Sequence, residues 1–481
     1  FPLYAKWQAE LEPDFTPFTN PFATTYVIST PEQLLGFSRA VQGVEGVIDR
    51  MDFVGKTVKL GADIMLNDTS GWQYWGDYTY GRQWEPISPD EVYCTFGGTF
   101  DGDGHTISGM YICDDSYSDA TGVRIGLFSR LRPDAVVKNL NIKASRIIYT
   151  SRYGTVGLLV GFNRGTVDSC TVEGKIDVTR CTAGLIAGVS QYNYDGVVGS
   201  DIIRDGIGRI SNSRVRGSIV ATNATYETPM GGLVGLIHTN DSIVNCSARA
   251  SVISTGSEEN IKYVGGLIGK IDRGTVIGCH AMPDSLVANA EVGGIAGYMS
   301  VDGTGFSAII DCHTEGDITL GINYLGGIVG HADEGQITGC TFNGSIISTG
   351  DFIGGIAGRA VDTVRECSVE GIIEGNNSVG GITGNIGNRP VMNSRFTGSV
   401  TGNINVGGII GYGSATNSHT TGTVTGVTRA GGIAGYGSSI VGCTSAAEII
   451  GDYQTGGIAG SSSAIRNCSV TGNVTGGSVT G

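Results

Sequence analysis

The phrase Gly-Gly-[Leu/Ile]-x-Gly returns down most of this chain, as in "GGLIGK" at 265–270, "GGIAGY" at 293–298 and "GGIVGH" at 326–331. Its second glycine stands at Gly232, Gly266, Gly294, Gly327, Gly355, Gly381, Gly408, Gly432 and Gly457, in steps of 24 to 34 residues. Looser copies lie around Gly157 and Gly184. A second column keeps the same register: Cys170, Ser213, Cys246, Cys279, Cys312, Cys340, Cys367, Ser394, Ser418, Cys443 and Cys468. Two independent columns in step require a structural unit used many times over, which excludes a single closed globular core.

A unit of about 25 residues is too short for two helices and a loop, and it is rich in Gly, Val, Ile, Thr, Ser and Asn, which are poor helix formers. Three short strands per unit, coiled and stacked about 4.8 Å apart, satisfy the pattern. The residue before the Cys/Ser column is Ser, Asn, Gly, Asp or Glu. Most of these tolerate positive φ, so this position reads as a corner between two faces. The Leu/Ile of the glycine phrase and the Cys/Ser column read as inward-facing. The expected fold is all-β, a right-handed parallel β-helix, its hand taken from the general preference of parallel crossovers.

Residues 1–115 do not repeat and are read as an N-terminal cap with lead-in strands, continuous with a solenoid over 116–481 in one elongated domain. Thr30-Pro31-Glu32-Gln33 predicts a helix to about Ala40, with Thr30 as N-cap, Pro31 in the first turn and Gln33 closing a capping box, covering the first exposed edge. The repeat pattern is still running at Gly481, so this end is expected either to continue or to meet a partner, self-association through solenoid ends being one such contact.

The chain has 80 glycines but 11 prolines and 40% hydrophobic residues, which excludes collagen and a disordered linker. Its net charge of −15 is scattered and no basic stripe exists for nucleic acid. No apolar run reaches the roughly 20 residues of a spanning helix, so no membrane insertion is expected.

The phrases "GGLVGLI", "GGLIGKI", "GGIAGYM", "GGIVGHA" and "GGIAGYG" resemble the GLUG motif, and "TPEQLLGFSRAVQG" with "GTFDGDGHTISGMYI" resembles the lead-in that precedes such repeats. The resemblance spans nearly everything from Thr30. It implies a bacterial, extracellular or cell-surface protein of adhesin-like or structural type, although such repeats also occur beside protease domains.

Chemistry is sparse. "VGKT" at 54–57 lacks the first glycine of a phosphate loop, with Arg50 in its place. The six histidines form no H-E-x-x-H pair, so no metal set and no cofactor are expected. Asp101 and Asp103 in "FDGDGH" read as a tight Asp-Gly turn, the alternative being a calcium loop that lacks its closing Glu. Eight of the eleven cysteines fall in the column and are read as buried packing thiols. Cys94 and Cys113 bracket a strand-turn-strand and could form a disulfide. The carboxylates Asp241, Asp272, Asp302, Glu315 and Asp333 recur at no fixed offset, so a catalytic pair is not expected and the chain is read as non-enzymatic. The rival is a polysaccharide lyase or glycoside hydrolase on a β-helix. The best candidate for binding a host or microbial surface glycan or protein is the aromatic stretch Trp72, Tyr74, Trp75, Tyr78, Tyr80 and Trp84, the alternative being that these rings seal the cap. Tyr192 and Tyr194, on an expected protruding loop, are lesser candidates.

Overall fold

The computed structural model describes residues 11–77, 81–88, 95–114, 123–151, 153–191, 208–222, 228–238, 241–255, 263–289, 291–301, 305–320, 322–387 and 389–476. The chain coils as a parallel β-helix, with two long sheets of 25 and 27 strands among the described residues. In each coil the strand that follows the glycine phrase and the strand leading to the corner lie in the first sheet. The strand after the corner and the strand entering the next glycine phrase lie in the second. Every named strand pair is parallel, with the same columns in register from coil to coil, as in Thr171–Thr179 along Arg214–Thr222.

The stack runs through the boundary expected near residue 115. Thr25–Ile28 pairs with Thr57–Leu60, which pairs with Thr99–Asp101, which pairs with Val136–Lys138. The non-repeating front end is therefore already coil, and its longer connections hide the period.

All eleven corner residues, Ser169 through Asn467, have φ between 48° and 66°. The conformation belongs to the coil and not to the residue, since Glu366 adopts it in line with the asparagines. The corner lets the column behind it bond along the axis. Cys246 N–H donates to Cys279 Sγ at 3.4 Å, and Cys170 N–H donates to Ser213 Oγ at 3.1 Å. Each side chain also donates to the carbonyl two residues back, as Cys246 does to Val244 at 3.4 Å and Ser213 to Ser211 at 2.7 Å. Thiol and hydroxyl alternate because the position needs a small group that both donates and accepts. Burial pushes the Cys170 and Cys181 thiols up to about 12 and Cys443 to about 11, so these sulfurs stay protonated.

The glycine phrase answers to close approach and not to special dihedrals. A Cβ on Gly266 would stand 2.3 Å from the carbonyl oxygen of Gly294 in the next coil. Leu233, Leu267, Ile295, Ile328, Ile356, Ile382, Ile409 and Ile433 are all fully buried, as their column requires. A further glycine column, which sequence reading did not isolate, crosses the second sheet at Gly344, Gly371, Gly398 and Gly422.

The helix forms over Pro31–Gln42, ending at Gly43 with φ 79°. Thr30 Oγ1 accepts from Gln33 N–H, but Gln33 Oε1 reaches back to Ser29 N–H at 2.8 Å, one residue beyond the expected Thr30 partner. Phe37 on its inner face meets Phe53, Phe96 and Phe100 with ring centroids 5.1, 5.5 and 5.7 Å away. These phenylalanines close the first coil. Asp103 and Gly104 form the expected tight turn, φ 50° and 83°, and Lys138 and Lys59 hold the carboxylates of Asp101 and Asp103.

Candidate functional site

The aromatic stretch at 72–84 divides on folding. Trp75 and Trp84 are core residues, 3% and 5% exposed, and Trp75 sits edge-on to Tyr111 at 5.5 Å. Neither can stack on a ligand, because packing on the second sheet already covers its faces. Tyr74 is exposed and Trp72 half-buried. Tyr78 and Tyr80 lie outside the described residues, as do Cys94, Tyr192, Tyr194 and Asp302. Cys113 is a free thiol.

A second aromatic surface arises from register. The residue after the last glycine of each phrase points outward from the first sheet, so Lys270, Tyr298, His331 and Arg359 form one column. Beside it runs the residue that turns into each phrase: Tyr263, Glu291, Tyr324 and Phe352. Tyr324 and Phe352 hold φ of 57° and 61°, which bulky residues rarely adopt. The coil imposes it, and the rings come to lie one above another. Tyr263 stacks on Tyr298 at 4.7 Å, Tyr324 on His331 at 5.1 Å and on Phe352 at 5.1 Å. Lys270 Nζ lies 5.3 Å from the Tyr263 ring centre and 5.5 Å from that of Tyr298.

Within this band His331 is held between two carboxylates. Its Nδ1 is 2.9 Å from Glu291 Oε1, and its Nε2 is 2.9 Å from Asp333 Oδ1 though off the line of a hydrogen bond. Tyr298 Oη donates to the other oxygen of Asp333. Burial first, then that bond, raises the Tyr298 phenol above its ordinary value, so it stays an O–H donor. Glu291 Oε2 is buried without a hydrogen-bond partner. The band borders a groove of about 370 Å³ lined by Val301, Phe306, Asp333, Glu334, Asp362 and Arg389, with Phe306 47% exposed.

The remaining carboxylates are dispersed. Asp241 is fully buried, accepting from Gly208 N–H at 2.8 Å, and Asp272 pairs with His238 at 2.7 Å. On the second sheet His280 and His313 face each other in adjacent coils, ring centres 4.9 Å apart, with Glu315 beside them. Their nitrogen and carboxylate atoms lie within 4.8 Å of one another, so these three side chains could hold a metal ion. Sequence reading missed both clusters because their members are one coil apart. Only the strand register joins them.

Residues 321–347 match the GLUG motif. The chain is 27% identical over 444 aligned positions to halomucin of Haloquadratum walsbyi, covering 74% of this chain and 5% of that protein. It is 32% identical over 93 positions to a candidate glycine-rich membrane protein of Evansella cellulosilytica, covering 19% of this chain and 10% of that one. The chain thus spans a small fraction of the curated relatives it matches. A crystal structure of a candidate immunoglobulin A1 protease from Bacteroides ovatus aligns at a TM-score of 0.39 with 20% identity, covering 68% of this chain and 77% of the other. The columns and the coil they build lead to one statement: the chain is a parallel β-solenoid carrying the GLUG motif.

Proposed function

We propose that this chain is a cell-surface β-solenoid of adhesin-like or structural type, which presents a binding face to a host or microbial glycan or protein and performs no chemistry itself. The observation that carries the reading is the stacked band from Tyr263 to Phe352 beside the groove of Phe306 and Arg389. The rings of the band cover one another's faces, so the exposed Phe306 ring, with its polar rim of Asp333, Asp362 and Arg389, is the part that suits a sugar face or a protein side chain. The names of two relatives, a mucin and a membrane protein, agree with a surface location. Against the rival of a lyase or hydrolase stands the chemistry of the band: the raised Tyr298 phenol stays protonated and is a poor base.

The test is a glycan and host-protein array probed with the intact chain, with a Phe306→Ala/Arg389→Ala variant and with a Trp72→Ala/Tyr74→Ala variant. All four side chains are at least partly solvent-exposed, so both variants should fold. Binding lost in the first variant supports the groove. Binding lost only in the second places the site at the N-terminal aromatics. Turnover of any arrayed glycan by the purified chain would overturn the non-enzymatic reading.

A further inference from the structure

We infer that His280, His313 and Glu315 form a binding site for a divalent transition metal of the zinc class, which staples two successive coils together where the pairing of the second sheet is interrupted. The inference is independent of the proposed binding face, which lies on the other sheet.

The coil containing His280 reads "CHAMPDSLV" and the next reads "CHTEGDITL". Register sets His280 directly against His313, and the two-residue strand period puts Glu315 on the same outward face as His313. Glu315 Oε1 stands 2.9 Å from His313 Nε2 and 3.8 Å from His280 Nε2. His280 Nε2 is buried without a hydrogen-bond partner and faces this cluster. Tetrahedral zinc with bonds of about 2.0–2.1 Å needs ligand atoms about 3.3 Å apart. The three groups reach that spacing by side-chain adjustment alone, since none of them is fully packed: their side chains are 34%, 28% and 51% exposed. His313 Nδ1 is bonded to Thr341 Oγ1 from the following coil, the kind of outer contact that fixes ring orientation in metal sites. Two imidazoles and one carboxylate select borderline cations over calcium or magnesium, which prefer all-oxygen sets. The fourth position faces solvent and is open to water.

The location supplies the second line of argument. In the regular coils the second sheet pairs coil to coil over long runs, as along Thr171–Thr179 and Arg395–Gly407. Between the coils of His280 and His313 the run contracts to His280–His313 and Ala281–Thr314. Pro283 breaks the lower strand, having no N–H to give. Beyond it, Ser285–Val287 pairs only downward with Ser251–Ile253, and Ile318–Thr319 pairs only upward with Ile346–Ile347. A metal with two ligands on one coil and one on the other spans this seam and replaces cohesion that the backbone lacks.

The experiment is calorimetric titration of the chelator-stripped full chain with zinc chloride, with calcium chloride as the control, for the native protein and for His280→Gln, His313→Gln and Glu315→Gln. Hydrogen exchange of the native protein with and without zinc is run in parallel, so that the answer does not depend on the variants folding. The expected result is one zinc per chain, no comparable calcium binding, at least about tenfold weaker zinc binding in each variant, and zinc-dependent slowing of exchange concentrated in 280–282 and 313–316. No zinc binding, binding that survives either histidine substitution, or exchange unchanged at the seam would each overturn the site.

Discussion

The coils over 395–453 and those over 280–345 are built from the same columns and behave differently. In the former, Arg395–Gly407, His419–Gly431 and Thr444–Tyr453 are unbroken strands, 24 or 25 residues apart, and each pairs with the next almost throughout. Between the coils of His280 and His313 the second sheet is cut into short pieces and leaves the seam described above. Histidine, carboxylate and stacked aromatic groups gather in the interrupted coils. The regular coils present mostly Thr, Gly and Ser, with Tyr412 and Tyr436 as their one stacked pair among the described residues. Long backbone pairing runs through the regular coils, while clustered histidine, carboxylate and aromatic side chains accumulate where that pairing is short.

The strongest challenge to this contrast uses one glycine column. A Cβ on Gly398 would lie 1.9 Å from the carbonyl oxygen of Gly371, whereas one on Gly316, in the same column over the Pro283 break, would find nothing nearer than 3.8 Å. Both have φ above 100°, so the dihedral strain is shared and the contact is the difference. Gly398→Ala should cost about 3 kcal/mol or more and Gly316→Ala about 1–2 kcal/mol, read by denaturant unfolding. Equal costs would break the contrast.

Native-state hydrogen exchange of the zinc-free chain should next show amides of 285–287 and 318–319 opening well before those of 396–406 and 420–430. A uniform profile would show that the seam opens no more easily than the regular stack.

A smaller effect concerns Asp241, one coil below the seam's lower edge. Burial raises its carboxyl well above the ordinary range, outweighing the bonds from Ser190 and from Gly208 N–H, which lower it. An acid whose folded pKa exceeds its unfolded one favours folding while protonated. That contribution is complete below the unfolded value, about 3.9, and is lost as pH rises through the folded value. Asp241→Asn should therefore gain about 1 kcal/mol at pH 7 and nothing below pH of about 4, in melts at the two pH values. A loss at neutral pH would mean the charge is held by contacts of greater worth.

The smallest expected effect tests equivalence between the two regions. Cys246→Ser and Ser418→Cys should each change stability by less than about 1 kcal/mol, because each side chain donates to a carbonyl of its own coil and accepts from the backbone N–H of the preceding one, Ser213 or Ser394. A large cost for either would make the column chemically specific.

Much of this architecture was legible beforehand. The corner column could be read because Asn, Gly and Asp mark positive φ, and the inward Leu/Ile column because it keeps a fixed place after the paired glycines while the step between copies varies. The helix was legible from Thr30-Pro31, though it extends to Gln42. The fate of the tryptophans was not, since the stretch at 72–84 has no period from which to assign a face. The His280–His313 pair escaped for a different reason. Motif spacings describe neighbours on one helix or strand, and these residues are 33 positions apart with a complete turn of the coil between them. Gly344, Gly371, Gly398 and Gly422 were hidden likewise, each looking locally like an ordinary turn glycine.

Because the regular coils offer the same columns on their upper and lower surfaces, a copied segment of about 25 codons can enter such a stack and be accepted by both neighbours. Length is then a heritable dimension, adjustable in increments of about 4.8 Å without redesigning any contact. The helix and its phenylalanines over the first coil set the zero of that scale.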